Sequence, residues 1–302
     1  MEASIVAVRW LQYGAAVALL GTPLFLLYGF GRGHDASDTV GARRMLAAAA
    51  LAVALLSLAG LVAQTAVMAG SLDEALKPAS LGFMIEGTAL GKAYVARGAA
   101  ALIALALLLL VPSGRLLWGL TALGGLVVVA SFAWTGHGAS TEGPGRLLHL
   151  GADIVHAVTA ALWLGALVAF ALLLARPRDL PPVHRALKGF AGVGTLAVAL
   201  LVVTGLINSG FLIGLDRPGS LFTTLYGQLL LLKLALFAAM VAVAARNRYR
   251  LTPALGTALE TGGDAAPSIG RLRGSVLLET VLGAAILLVV ALMGTLPPPA
   301  SM

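Results

Sequence analysis

A run of polar side chains interrupts the apolar segment 147–165. His149, Asp153, His156 and Trp163 are spaced by four, three and seven residues, so on an α-helix they share one face. An ionisable group inside a membrane helix costs roughly 2.5–3.5 kcal/mol on insertion scales, and such groups are therefore kept mainly for function. Imidazole suits copper, zinc, nickel or iron. The stripe therefore predicts a metal site.

The spacing of these side chains leaves the form of the site open. His149 and His156 lie ~10.5 Å apart along a helix axis, and Asp153 lies between them. One ion could be held by a His–Asp pair together with His137, or two stations could step inward from His149 to His156. His137 lies in the glycine-rich turn TGHG at 135–138, where the backbone can approach a ligand closely. A polar cluster that only packs helices is the structural alternative.

The composition places this helix in a lipid bilayer. The 302 residues are 59% hydrophobic and 11% charged, whereas soluble domains are about 25% charged. We predict an all-α, polytopic membrane protein whose residues 1–302 form a single transmembrane domain. The apolar runs predict about eight spans, at 5–30, 45–69, 88–111, 116–135, 147–175, 187–214, 221–245 and 274–296. The Gly/Ala/Thr/Pro-rich segment 246–273 is predicted to be a loop.

Basic residues predict the orientation of the spans. The connections after odd-numbered spans hold most of the cations, namely Arg32, Arg43, Arg44, Arg115, Arg176, Arg178, Arg185, Lys188, Arg246, Arg248, Arg250, Arg271 and Arg273. The opposite connections hold Lys77, Arg146 and Arg217. The positive-inside rule then makes the first group cytoplasmic and both termini periplasmic. Because the net charge of +7 is explained by this bias, we expect no nucleic-acid partner.

This orientation puts His137, His149, Asp153 and His156 on the periplasmic side. Met68 and Met293 fall near the same face, and thioether ligands would favour Cu(I). The chain has no cysteine, which excludes thiolate copper sites and disulfides. It also has neither a Walker motif nor a G-x-S-x-G motif, which argues against an ATP-driven pump and a serine hydrolase.

Other polar residues within the spans are candidates for supporting roles. Lys233 lies near the middle of its span and should face the bundle interior, paired with an acid or with backbone carbonyls. Glu279 is one candidate partner. Arg97 could be a further charge inside the bundle, or its guanidinium group could extend to the membrane–water interface. Tyr226 and Asn208 complete this supporting set.

Several segments together resemble the copper-resistance protein D (CopD) family of bacterial inner-membrane proteins. They are TGHG at 135–138, the stripe ending in WLG at 163–165, TALGKAYVAR at 88–97, the segment 188–210, LYGQLLLLKLALF at 225–237, RNRYRLTP at 246–253 and RLRGSVLLET at 271–280. The resemblance implies eight helices in the bacterial inner membrane and a periplasm-facing copper site. It also implies a role in copper import or tolerance beside a small periplasmic copper-binding CopC-like partner.

The leading interpretation is a protein that accepts copper, as Cu(I) or Cu(II), at His137, His149, Asp153 and His156 and passes it inward. A transporter or metal-binding membrane protein is thus favoured over an enzyme. One alternative is a membrane oxidoreductase in which haem or a copper centre works with quinone, although the candidate ligands all lie on one side. A copper-responsive anchor or sensor without transport is the other alternative.

Overall fold

The structure, a computed structural model, describes residues 2–29, 40–136, 139, 141–175, 180–214 and 217–301. Within these residues, eight helices are long and apolar enough to cross a membrane. They are α1 (Glu2–Tyr28), α2 (Val40–Ala69), α5 (Ala89–Leu110), α6 (Arg115–Ala130), α7 (Arg146–Ala175), α8 (Leu180–Ile213), α10 (Leu225–Arg246) and α12 (Ala266–Met293). The shorter helices are α3 (Leu72–Ala75), α4 (Pro78–Gly87), α9 (Ser220–Thr223) and α11 (Thr252–Glu260).

The prediction of an all-α membrane protein with eight spans is confirmed. The prediction of a loop over 246–273 is wrong for most of its length, because only residues 261–265 lie between helices and α12 already begins at Ala266. A π-helical segment, Asn247–Leu251, continues α10 and leads directly into α11. Pro253 does not break this continuation because it lies in the first turn of α11, where no backbone N–H is needed.

Helix α1 lies at the centre of the bundle and packs against α2, α6, α7 and α12. Its crossing with α7 depends on two glycines, since a Cβ at Gly21 would overlap the Ala161 carbonyl and one at Gly165 would overlap Gly21. Thr22 Oγ1 donates to the Gly165 carbonyl at 3.1 Å across the same crossing. Small residues give close approach where lipid supplies no hydrophobic driving force between helices.

Helices α8 and α10 are the peripheral members of the bundle. In the most apolar window of each span, 56% of α7 is buried, against 17% for α8 and 11% for the span that begins with α10. Helix α8 packs on α7, and α10 packs on α12, rather than closely on each other. A groove therefore separates α8 from α10, and α7 and α12 form its floor.

Candidate functional site

The first histidine of the stripe lies near the start of α7 and is buried. His149 Nδ1 is 2.6 Å from Thr141 Oγ1, in the segment that leads into α7. Its ring stacks on Phe211 of α8, with centroids 4.7 Å apart and the planes 6° from parallel. The imidazole is thus held between α8 and the segment that precedes α7.

The second histidine, His156, has a hydrogen-bond partner on α8 from which we assign its tautomer. Its Nδ1 lies 2.9 Å from Thr204 Oγ1 on α8. The Thr204 hydroxyl donates its own hydrogen to the Leu200 carbonyl at 2.6 Å, so its oxygen accepts from Nδ1–H. In the neutral ring Nε2 then carries the lone pair. This is the arrangement in which a histidine binds a metal ion.

Asp153 lies between the two histidines and faces a polar group drawn from several helices. Asn208 Nδ2 on α8 is 3.5 Å from Asp153 Oδ1, a long hydrogen bond. Tyr13 of α1 and Tyr226 and Lys233 of α10 lie within electrostatic range of the Asp153 carboxylate. We call Asp153, His156, Asn208, Tyr226 and Lys233 the outer cluster.

The outer cluster contains an acceptor that the protein leaves unused. Asn208 is buried, and its Oδ1 has no hydrogen-bond partner among the residues that the structure describes. Buried polar atoms are nearly always satisfied by protein or ordered water. An unused carbonyl oxygen beside a carboxylate is therefore a place for a cation or a water molecule.

Lys233 lies beside the outer cluster without a direct ion pair. Within the described parts of the chain, Lys77 and Glu74 form the single ion pair, at 2.6 Å, so Lys233 is more than 4.0 Å from the carboxylate oxygens of Asp153. Its charge interacts with that of Asp153 across this gap. The expected pairing of Lys233 with Glu279 is not found.

An outer cavity of about 520 Å³ opens beside the cluster, in the groove between α8 and α10. His156, Trp163 and Lys233 are its main polar groups, and its other walls are largely apolar side chains of α8 and α10. His156 lies against Gly205, where a Cβ would approach the ring to 3.5 Å. His156, whose Nε2 carries the lone pair, thus borders the outer cavity.

Glu279 is placed in the other half of the bundle. Its Oε1 accepts from Trp163 Nε1 at 2.9 Å, and its Oε2 accepts from Asn247 Nδ2 at 2.8 Å. It is buried and borders a second, inner cavity of about 370 Å³. The structure therefore separates Glu279 from the outer cluster, and we call Glu279, Trp163 and Asn247 the inner cluster.

Arg97 is a buried cation on α5 with a third environment. It donates to Ser131 Oγ at 2.9 Å, to the Ser131 carbonyl at 3.1 Å and to Thr135 Oγ1 at 2.9 Å. Its guanidinium carbon lies 3.9 Å from the centre of the Phe132 ring, and the Tyr13 ring packs edge-on against Phe132 with the ring centroids 4.9 Å apart. Arg97 therefore holds Ser131 and Thr135, at the start of the connection between α6 and α7.

The remaining candidates divide as follows. His137 lies outside the described residues. Met293 is buried in an apolar cluster with Tyr226, whereas Met68 is 54% exposed at the end of α2. Among the residues described, no three His, Asp or Glu side chains converge on one point. His149, Asp153 and His156 therefore do not by themselves enclose one ion.

Sequence reasoning missed several partners of these residues. Thr141 and Thr204, which bond the histidines, and Tyr13, which faces Asp153, were not among the candidates. One signal was available, because Thr204 precedes Asn208 by four residues in an apolar run and so shares its helix face. Thr141 gave no such signal, because it lies in a non-helical connection.

Comparisons with known proteins cover both halves of the chain. The family descriptions that match are Copper resistance protein D-like, N-terminal domain, over residues 1–148, and Copper resistance protein D, over residues 184–293. Copper resistance protein D of Pseudomonas syringae pv. tomato is 39% identical over 307 residues, which cover 97% of this chain and 96% of the relative.

Two further relatives match over less of their length. Inner membrane protein YebZ of Escherichia coli (strain K12) is 33% identical over 55% of each chain. Copper transport protein CutJ of Bacillus subtilis (strain 168) is 29% identical over 78% of this chain and 44% of its own length. No solved structure matches. The family resemblance predicted from the motifs is confirmed, and this multi-pass inner-membrane protein belongs to the copper resistance protein D family.

Proposed function

We propose that this protein accepts copper from the periplasm at the outer cluster and passes it across the inner membrane. We identify the metal as copper because two relatives are named as a copper resistance protein and a copper transport protein. The observation that carries the proposal is the contact between His156 Nδ1 and Thr204 Oγ1. With the Thr204 hydroxyl donating to the Leu200 carbonyl, its oxygen accepts from Nδ1–H and leaves Nε2 to bind a metal ion at the edge of the outer cavity.

The outer cluster supplies complementary ligands. The Asp153 carboxylate lies one turn before His156 on α7, and the unused Asn208 Oδ1 lies on the facing helix. Nitrogen and oxygen ligands of this kind suit Cu(II), and Met293, buried beside Tyr226, adds a soft ligand nearby for Cu(I). Copper is the cargo here, so a partial ligand set that binds and releases it fits the task better than a closed cage.

His149 serves as the entry station in this proposal. It lies seven residues toward the periplasmic end of α7 from His156, about 10.5 Å along the axis. His137, which lies outside the described residues, joins His149 or Asp153 as copper arrives. A small periplasmic copper-binding CopC-like protein delivers the ion. Copper then steps from His149 to Asp153 and His156, and enters the outer cavity.

The test is equilibrium copper binding by the purified protein, followed by copper uptake into liposomes. His156→Ala should lower copper affinity by more than about 100-fold, because removing a ligand costs more than the 10- to 100-fold loss of a supporting contact. His184→Ala is the matched control, since His184 lies against Gly256 of α11, away from the outer cluster. Unchanged binding and uptake in His156→Ala would overturn the site. Binding without uptake would leave a sensor, and a Soret band in the purified protein would indicate a haem oxidoreductase instead.

A further inference from the structure

Glu279 is a buried carboxyl group with no cationic partner among the described residues. Trp163 Nε1 and Asn247 Nδ2 donate to its two oxygens, and no Lys, Arg or His of the described chain lies within 4.0 Å of them. Two neutral donors support a carboxylate only in part, since an ion without a counter-ion is costly in a low-dielectric interior. The proposed copper path does not use this group.

Asn247 offers Glu279 a second mode of bonding. The residue is buried, and its Oδ1 has no partner among the described residues, while its Nδ2 bonds to Glu279. A carboxylate needs a donor, whereas a protonated carboxyl also needs an acceptor for its O–H. A 180° rotation of the Asn247 side-chain amide replaces the Nδ2 donor facing Glu279 with the Oδ1 acceptor. The pair therefore has a hydrogen-bonded arrangement available for both states of Glu279.

Two further observations mark this place as more than a packing contact. Ser275, one turn before Glu279 on α12, has a buried hydroxyl without a partner among the described residues. Asn247 begins the π-helical segment at the end of α10, and π-helical turns occur frequently at functional sites. Unsatisfied polar atoms and irregular backbone thus coincide with the uncompensated carboxyl group.

The inner cavity connects Glu279 with the end of the bundle that carries the arginines. Glu279 and Asn247 line it together with Arg248 and Tyr249, both of which are exposed. Among its described lining residues, Arg248 and Tyr249 are the other charged or titratable side chains. Arg248 is bonded to the Ala191 carbonyl and to Thr195 on α8, so it does not neutralise Glu279.

We propose that Glu279 is a proton-binding site served by the inner cavity. A proton from water on the arginine-rich side adds to a carboxylate oxygen of Glu279, and the new O–H donates to Asn247 Oδ1 after the amide turns. Release reverses the step. Trp163 keeps its bond to the other oxygen. Trp163 lines both cavities. A change in the protonation state of Glu279 therefore alters the hydrogen bond of a side chain that also borders the outer cavity.

The test uses the full-length, copper-free protein in nanodiscs. Indole fluorescence and the infrared carbonyl band of a protonated carboxyl group are followed from mildly acidic to mildly alkaline pH. The wild type should show one reversible transition in both signals. Glu279→Gln should lose both transitions, and Trp163→Phe should lose the fluorescence change but keep the infrared band. Glu260→Gln, which alters an exposed carboxyl on α11, is the matched control and should resemble the wild type.

Asn247→Leu, which removes both faces of the amide, should displace the transition, whereas a residue that only fills space would leave it in place. In liposomes, the fluorescence should follow the pH on the side that carries Arg248. An identical pH response in wild type and Glu279→Gln would overturn the proposal. A response to added Na⁺ at constant pH, without a response to pH, would also overturn it and would indicate a metal cation in the inner cavity.

Discussion

The outer and inner clusters each pair a carboxyl group with an asparagine and differ in what surrounds this pair. Each places a carboxyl group beside an asparagine whose Oδ1 is unused by the described chain. The outer carboxylate also has an imidazole with an oriented lone pair one turn away, and Lys233 within electrostatic range. The inner carboxyl group has only two N–H donors. The difference predicts a site for a metal ion on the outer side and a site for a proton on the inner side.

The largest expected effect is a loss of copper affinity when Asp153, but not Glu279, is substituted. Asp153→Asn keeps the shape of the side chain but removes a charged ligand, so copper affinity should fall by more than about 100-fold. Glu279→Gln should keep the copper stoichiometry of the purified protein. Both are measured by copper titration at constant pH. Equal losses in the two variants would break the comparison, because a single coupled site would then span both clusters.

A smaller effect is expected from the threonine that orients His156. Thr204→Val replaces the hydroxyl with a methyl group of similar size, which frees the imidazole to adopt the other tautomer. Copper affinity should fall by about 10- to 100-fold, as when other supporting partners of metal-binding histidines are removed. Thr204→Ser keeps the hydroxyl and should restore binding. Failure of serine to rescue would show that packing at this position, rather than the hydrogen bond, matters.

The smallest effect concerns the indole that joins the clusters. Trp163→Phe removes one hydrogen bond to a carboxylate and should lower the free energy of unfolding by about 1–2 kcal/mol. Thermal unfolding in detergent measures it. Trp10→Phe is the comparison variant, because Trp10 Nε1 donates to the Ala284 carbonyl at 2.9 Å from a partly exposed site. An equal or greater loss there would mean that the Trp163–Glu279 bond adds nothing special to stability.

Much of the fold could be predicted from the sequence because lipid imposes a simple constraint. Apolar runs of sufficient length must be helices there, and this is why the eight spans were found. The helical course of 247–260 and the start of α12 at Ala266 were missed, since Gly/Ala/Thr/Pro composition does not reveal that Pro253 and Pro267 fall in permitted first turns.

The site was predictable only where its residues share a helix. His149, Asp153 and His156 lie on one face of α7, and spacing alone aligns them. The partners of Lys233 and Glu279 depend on how different helices pack together. The spacing of residues along one helix does not predict that packing. Asn247, which bonds Glu279, comes from the end of α10, a segment that the sequence favoured as loop.

Because α8 and α10 are separated by a groove, the outer cavity is open on the side between these two helices. In a membrane, we expect acyl chains to complete the wall beside His156 and Lys233, which line this cavity. Chain length and saturation of the lipids should then alter how much water reaches these side chains, and so how tightly they hold an ion. A short detergent would leave the wall incomplete. The lipid around this protein would then be a component of the proposed copper site, and measurements of affinity should be compared only at a stated lipid composition.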